Sequence, residues 1–121
     1  MAAPRTEIVT IYRPTQVHKA DHNVVPGAFT LVAKGVAANI HRGTSQGRDE
    51  AAVMGITGLN PSLAYFDPGS AALLSDRCVL VDGNDVAWLV HGIPSVRTRF
   101  ASVSHARCLL TQLLVKPSGV S

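Results

Sequence analysis

The stretch "RCVLVDGNDVAWLVHGIP" (77–94) constrains the fold more than any other part of the chain, because two apolar runs are pinched around Asp82-Gly83-Asn84-Asp85. Such runs flanking a turn-forming tetrad read as an antiparallel hairpin, with Asp82-Gly83 or Gly83-Asn84 as the tight turn. In "VAWLVH", Val86, Trp88 and Val90 point to one face, and Ala87, Leu89 and His91 to the other. Both faces are largely apolar, so the hairpin should be central, with Trp88 and Val90 in the core. Gly92-Ile93-Pro94 should end it.

The rest of the chain is broken into similar short pieces. "TEIVTIYR" (6–13) reads as a first strand stopped by Pro14, and the polar, proline-bracketed segment 14–27 as a loop. In "AFTLVAKGVAANIHRG" (28–43) Val36, Ala38 and Ile40 share one face of a half-buried strand, with Gly35 marking a bulge and Ile40 in the core. "GTSQGRDE" (43–50) has no apolar side chain, cannot repay its ordering by burial and should be mobile. "VMGITGLN" (53–60) and "SLAYF" (62–66) are weak strand candidates separated by Asn60-Pro61, and Asp67-Pro68-Gly69 is a turn.

"SVRTRF" (95–100) alternates, placing Val96, Thr98 and Phe100 inward and Arg97 and Arg99 outward. "CLLTQLLV" (108–115) fits a helical stripe about as well as a buried strand, and its shortness favours the strand; "KPSGVS" (116–121) should be a frayed tail. Together these features predict an all-β chain: one small β-barrel or sandwich domain over 1–121, with mobile loops at about 14–27 and 41–60.

At 121 residues the chain has room for a single core. Charged residues make up 16%, below the roughly one quarter of an ordinary domain, so some apolar surface is expected to meet a partner. The net charge of +3 is unevenly spread: no acidic residue follows Asp85, while Arg97, Arg99, Arg107 and Lys116 do. That asymmetry suits an acidic partner, a DNA backbone, or simply a solvated strand face. No apolar run approaches the roughly 20 residues of a membrane helix and the start has no secretory h-region, so a soluble protein made in the cytoplasm is expected. Cys78 and Cys108 should then be reduced, buried small hydrophobes.

Recognisable reaction chemistry is scarce. His18 and His22 have the i, i+4 spacing of a helical zinc site, with Asp21 between, but prolines close off the helix and no third ligand is evident. "GTSQGR" lacks the Lys-Ser/Thr pair of a phosphate loop, no serine sits in a Gly-x-Ser-x-Gly elbow, and His91 and His105 read as structural. Six scattered aromatics, most of them needed for the core, leave too few to stack bases over a basic groove. No enzymatic activity, metal or cofactor is expected. A small nucleic-acid-binding barrel is the alternative of another class, testable through salt-dependent DNA affinity lost on Arg97→Ala with Arg99→Ala.

The order of the pieces carries more than any residue. "IVTIYRP", then "GVAANIHRG" and a polar loop, then "YFDPG", "DRCVLVDGNDVAWLVHGIP", a basic strand and "SHARCLLTQLL" resembles the head-tail connector proteins of long-tailed bacteriophages, in particular the stopper or head-closure (head completion) group. Asp76, Gly83, "WLVHG" (88–92) and His105 stand where that group has an Asp before a strand, a Gly turn, an apolar strand and a histidine near the last strand. The likeness spans about Ile8 to Leu114; the apolar "SAALL" between Asp67 and Arg77 departs from it.

The resemblance implies a virion neck protein without catalysis: a homo-oligomeric ring, sixfold or twelvefold, between the portal or adaptor and the tail terminator or tail tube, helping to retain packaged DNA. A tail terminator or another neck protein is the nearest alternative. Contacts along the tube axis would fall to Arg42, Gln46, Arg48, Asp49, Glu50 and His18, and those of the basic strand to Arg97 and Arg99.

Overall fold

The computed structural model describes residues 7–18, 24–97, 105–117 and 119–121. Six strands, β1 (Glu7–His18), β2 (Val24–His41), β3 (Leu59–Phe66), β4 (Val79–Val81), β5 (Ala87–Arg97) and β6 (His105–Leu113), pair antiparallel throughout. Their order β1-β2-β3-β6-β5-β4 closes on itself as β4 returns to β1, so the all-β expectation resolves to a closed barrel. Period-two alternation fills the interior: Val9, Ile11, Ala38, Ile40, Ala64, Phe66, Leu80, Trp88, Val90, Cys108 and Leu110 form one buried cluster. Trp88, Val90 and Ile40 are therefore core as expected, and both cysteines are buried there as free thiols. Phe100 lies outside the described residues.

Several segments expected as loops or breaks are regular structure. Residues 14–18 and 24–27 belong to β1 and β2, which pair as far as His18↔Val24. Pro14 does not stop β1, because β4 has left the strand after Tyr12 and that edge has no ladder bond to lose. At Gly35 (φ +69°) the register slips between Val9↔Val36 and Ile11↔Ala33, the bulge anticipated there. Gly92-Ile93-Pro94 likewise does not end β5. The strand continues to Arg97 through a bulge that shifts the register from His91↔Leu109 to Ser95↔Arg107. Gly92 supplies the positive φ of +78°, and its N–H donates to Asp76 Oδ1 at 2.8 Å. Pro61 sits within β3, where pairing to β6 is irregular between Leu59 and Ser62, so 53–66 holds one strand rather than two.

The polar segment 43–50 opens a helix, α1 (Ser45–Val53), rather than a mobile loop. Thr44 caps it by accepting from the Gly47 N–H at 3.0 Å, and Gly55 (φ +69°) ends it, with Gly55 N donating to Ala52 O and Ile56 N to Ala51 O. Burial of Ala51 against Leu63 and Leu109, with Ile56 and Tyr65 alongside, fixes α1 on the outer face of β3 and β6. That apolar patch comes from distant strands, which explains how so polar a stretch is ordered. The "SAALL" segment forms a 3₁₀-helix (Pro68–Leu73) touching β2, β5 and β6, and Ala71, Leu73 and Leu74 pack onto the barrel core. It is apolar because it stoppers one end of the barrel's own interior.

Lys116, Val120 and Ser121 also have defined contacts, where a frayed tail was expected. Lys116 pairs with Asp85, Val120 packs beside Tyr12, Val79, Val81 and Ala87 on the outside of the barrel, and the Ser121 N–H donates to Tyr12 Oη at 3.4 Å.

Candidate functional site

The turn between β4 and β5 is not the two-residue turn expected. Asp82 N donates to Val86 O at 3.0 Å and Asp85 N to Asp82 O at 3.1 Å, enclosing Gly83-Asn84-Asp85 as a three-residue loop whose left-handed position is Asp85 (φ +65°) rather than a glycine. Asp82, only 5% exposed, organises that loop. Its Oδ1 accepts from Asn84 N at 2.8 Å and Val86 N at 3.1 Å, and its Oδ2 from Trp88 Nε1 at 3.0 Å and the Arg42 guanidinium at 3.1 Å. Burial alone would raise the carboxyl's pKa; the hydrogen bonds from Trp88, Val86, Arg42 and Asn84 outweigh it and hold Asp82 below its ordinary value.

Arg42, just beyond β2, reaches both Asp82 and Glu7 of β1, and its guanidinium carbon lies 5.9 Å from the Trp88 ring centroid. The Glu7 carboxylate also accepts from Ile40 N at 3.1 Å. Hydrogen bonding to Arg42 comes first in lowering the Glu7 pKa, and the same bond raises that of Arg42. The network joins β1, β2 and the β4–β5 turn at one end of the barrel. Every Asp82 oxygen is occupied and the acid stays ionised, so the arrangement locks the barrel end and offers no general acid or base.

On the outer wall, between α1 and strands β5 and β6, a cleft of about 210 Å³ is lined by Glu50, Met54, His91, Gly92, Arg107, Cys108 and Leu109. The Cys108 thiol is no nucleophile there, since burial, with Cys78 nearby, pushes its pKa up to about 12. His91 Nε2 lies 2.7 Å from Thr111 Oγ1. Burial lowers the His91 pKa below its ordinary 6.5, the Asp76 carboxylate opposes that shift, and Arg77 adds to it. The neutral ring is favoured in the folded chain, so its contribution to stability is complete above the unfolded value and is lost as pH falls below it. Urea midpoints should therefore drop as pH is lowered from above to below about 6.5, and His91→Gln, which keeps a polar partner for Thr111 without a proton equilibrium, should flatten that drop; an unchanged profile would discount His91 as its source.

Beside this cleft, a shallow groove of about 360 Å³ is lined by Asp49, Glu50, Val53 and Met54. Val53 is 89% exposed and Met54 52%, while Leu59, Leu114 and Val115 are the exposed apolar side chains near the ends of β3 and β6. Among the described residues no three His, Cys, Asp or Glu side chains gather to hold a metal ion, and no helix is long and apolar enough to cross a membrane.

No family model fits the chain, and no curated protein matches it.

The structure separates the residues singled out from sequence. Gln46, Arg48 and Asp49 are exposed on α1, and Asp49 borders the apolar groove. Glu50 is instead paired with Arg107 across to β6, and Arg42 is engaged in the Asp82 network, so neither presents an unpaired charge. His18 and Arg97 end β1 and β5; Arg99, Asp21 and His22 lie outside the described residues. The basic C-terminal third is partly neutralised within the chain, Arg107 by Glu50 and Lys116 by Asp85. Val53 and Met54 escaped sequence reading because a strand pattern was expected where α1 ends; the Thr44 cap and Gly55 were the available signals.

Proposed function

We propose that this protein is a structural subunit of the phage neck, a stopper that assembles as a homo-oligomeric ring between the portal or adaptor and the tail and helps to retain packaged DNA. One observation carries the reading: a barrel closed on all sides still leaves Val53, Met54, Leu59, Leu114 and Val115 exposed. Side chains of this kind on a chain poor in charge favour contact with other protein surfaces. The α1 face, with Gln46 and Asp49 beside Val53 and Met54, is assigned to contact along the tube axis. The partial in-chain pairing of the basic third favours this reading over a nucleic-acid-binding barrel.

The test is assembly. Protein mixed with its portal–adaptor complex should co-sediment and add a ring of density in electron micrographs. Val53→Lys combined with Met54→Lys should abolish that ring while lowering thermal stability only slightly, because Val53 is 89% and Met54 52% exposed and a helix C-terminus tolerates positive charge. A barrel that never adds to the complex, or a charged double variant that assembles normally, refutes the proposal.

A further inference from the structure

Helix α1 carries its charges against its own dipole. Aligned peptide groups leave partial positive charge at a helix N-terminus and partial negative charge at its C-terminus, which acidic and basic side chains respectively offset. Yet α1 has no acidic residue in its first turn and no basic residue in its last. Its two carboxylates, Asp49 and Glu50, stand toward the C-terminal end instead. That end is electronegative, on a chain whose net charge is +3.

The two acids also pattern the surface beside them. Residues four apart share a helix face, so Val53 stands one turn beyond Asp49 and Met54 one turn beyond Glu50. These two stripes, each running from acid to apolar side chain, line the groove of about 360 Å³. The side of α1 that meets the barrel is a different one, where Ala51 packs with Leu63 and Leu109. Val53 and Met54 are thus left 89% and 52% exposed. Glu50 is held by Arg107 of β6, whereas Asp49 has no ion pair among the described residues, and the neighbouring Arg48 reaches back to Ser45 Oγ at 3.4 Å. The groove therefore offers apolar area beside one uncommitted carboxylate and an uncompensated helix end.

We infer that this groove seats a basic protein segment, one that carries an apolar side chain with an Arg or Lys about 5.4 Å away, the rise of one helical turn. The inference rests on the reading of the α1 face as a contact surface and names the chemistry of what it meets. Apolar area alone accepts any hydrophobic side chain; the charges select among them. A cation placed here pairs with Asp49 and offsets the negative end of α1 in the same step. The same groups repel phosphate, so DNA and anionic membranes are disfavoured at this face, and acidic protein surfaces with them. The partner is the opposite of the one that the net charge of the whole chain suggests.

A library of random short peptides displayed on yeast, sorted for binding to the full-length protein and against Val53→Lys combined with Met54→Lys, tests this. Enriched peptides should carry Arg or Lys within about one helical turn of an apolar residue. Asp49→Lys should weaken a selected peptide by about tenfold or more at low salt, Asp49→Asn should weaken it less, and Arg48→Glu should strengthen it. Circular dichroism checks that each variant remains folded. A library that yields no binders, enriched peptides that lack basic residues, or binding that Asp49→Lys leaves unchanged overturns the inference. Normal addition of Asp49→Lys to the portal–adaptor complex overturns it too, while leaving the ring reading standing. Basic peptides that bind a protein which never joins that complex overturn the ring reading and support the chemistry of the groove.

Discussion

Replacing Asp82 by alanine is expected to lower the unfolding free energy by about 3–5 kcal/mol, because it leaves several donors of the barrel end without an acceptor at about 1–3 kcal/mol for each buried one. The carboxylate side chain is 1% exposed and serves four donors from three separate parts of the chain. Its loss strands the indole N–H of Trp88 in the core, frees the Asn84 and Val86 amides of the turn, and leaves Arg42 with Glu7 alone. Urea unfolding followed by Trp88 fluorescence measures this directly. Arg42→Ala should cost less, because the guanidinium side chain is 34% exposed and the Asp82 carboxylate keeps its other three donors. If the alanine variant at 82 loses under about 1 kcal/mol, the lock is a surface ion pair of the ordinary kind and the account above is wrong.

Trp88→Ala should cost a similar amount, about 3–5 kcal/mol, through the cavity left in a packed interior. Trp88 is 1% exposed, sits opposite Leu80 on β4 and Gln112 on β6, and is the largest side chain in the barrel. Trp88→Phe separates packing from hydrogen bonding: it keeps most of the apolar volume and removes the donor to Asp82, so a loss of about 1–3 kcal/mol is expected. Combined with Asp82→Asn, its effect should be non-additive by about 0.5–3 kcal/mol, since both substitutions act on one bond. Full additivity would mean that the 3.0 Å contact carries no energy.

The hairpin around residues 77–94 was legible because its information is local: alternation fixes which side chains face inward, and Trp88, Val90 and Ile40 are buried as that rule requires. The bulge at Gly35 was readable for the same reason, a glycine interrupting a run that otherwise pairs. The turn itself was harder, because its left-handed residue is an aspartate held by Asp82, and the alternation says nothing of that hydrogen bonding. Segment 43–50 was misread because its order derives from a cap at Thr44 and from Leu63 and Leu109, which arrive from β3 and β6. Continuity of β5 through Gly92-Ile93-Pro94 was hidden too, since the bulge is held by Asp76, sixteen residues away.

The sequence alone therefore determined the class of fold and the inward face of its clearest strands, since period-two alternation is a property of neighbours along the chain. Closure of the barrel, the Asp82–Arg42–Glu7 lock, the 3₁₀-helix across one end and the packing of Val120 on the outer wall were decided only by the tertiary structure. Each depends on groups brought together across strands. A carboxylate's set of donors, or the partner of an apolar patch, exists only once the chain has closed on itself.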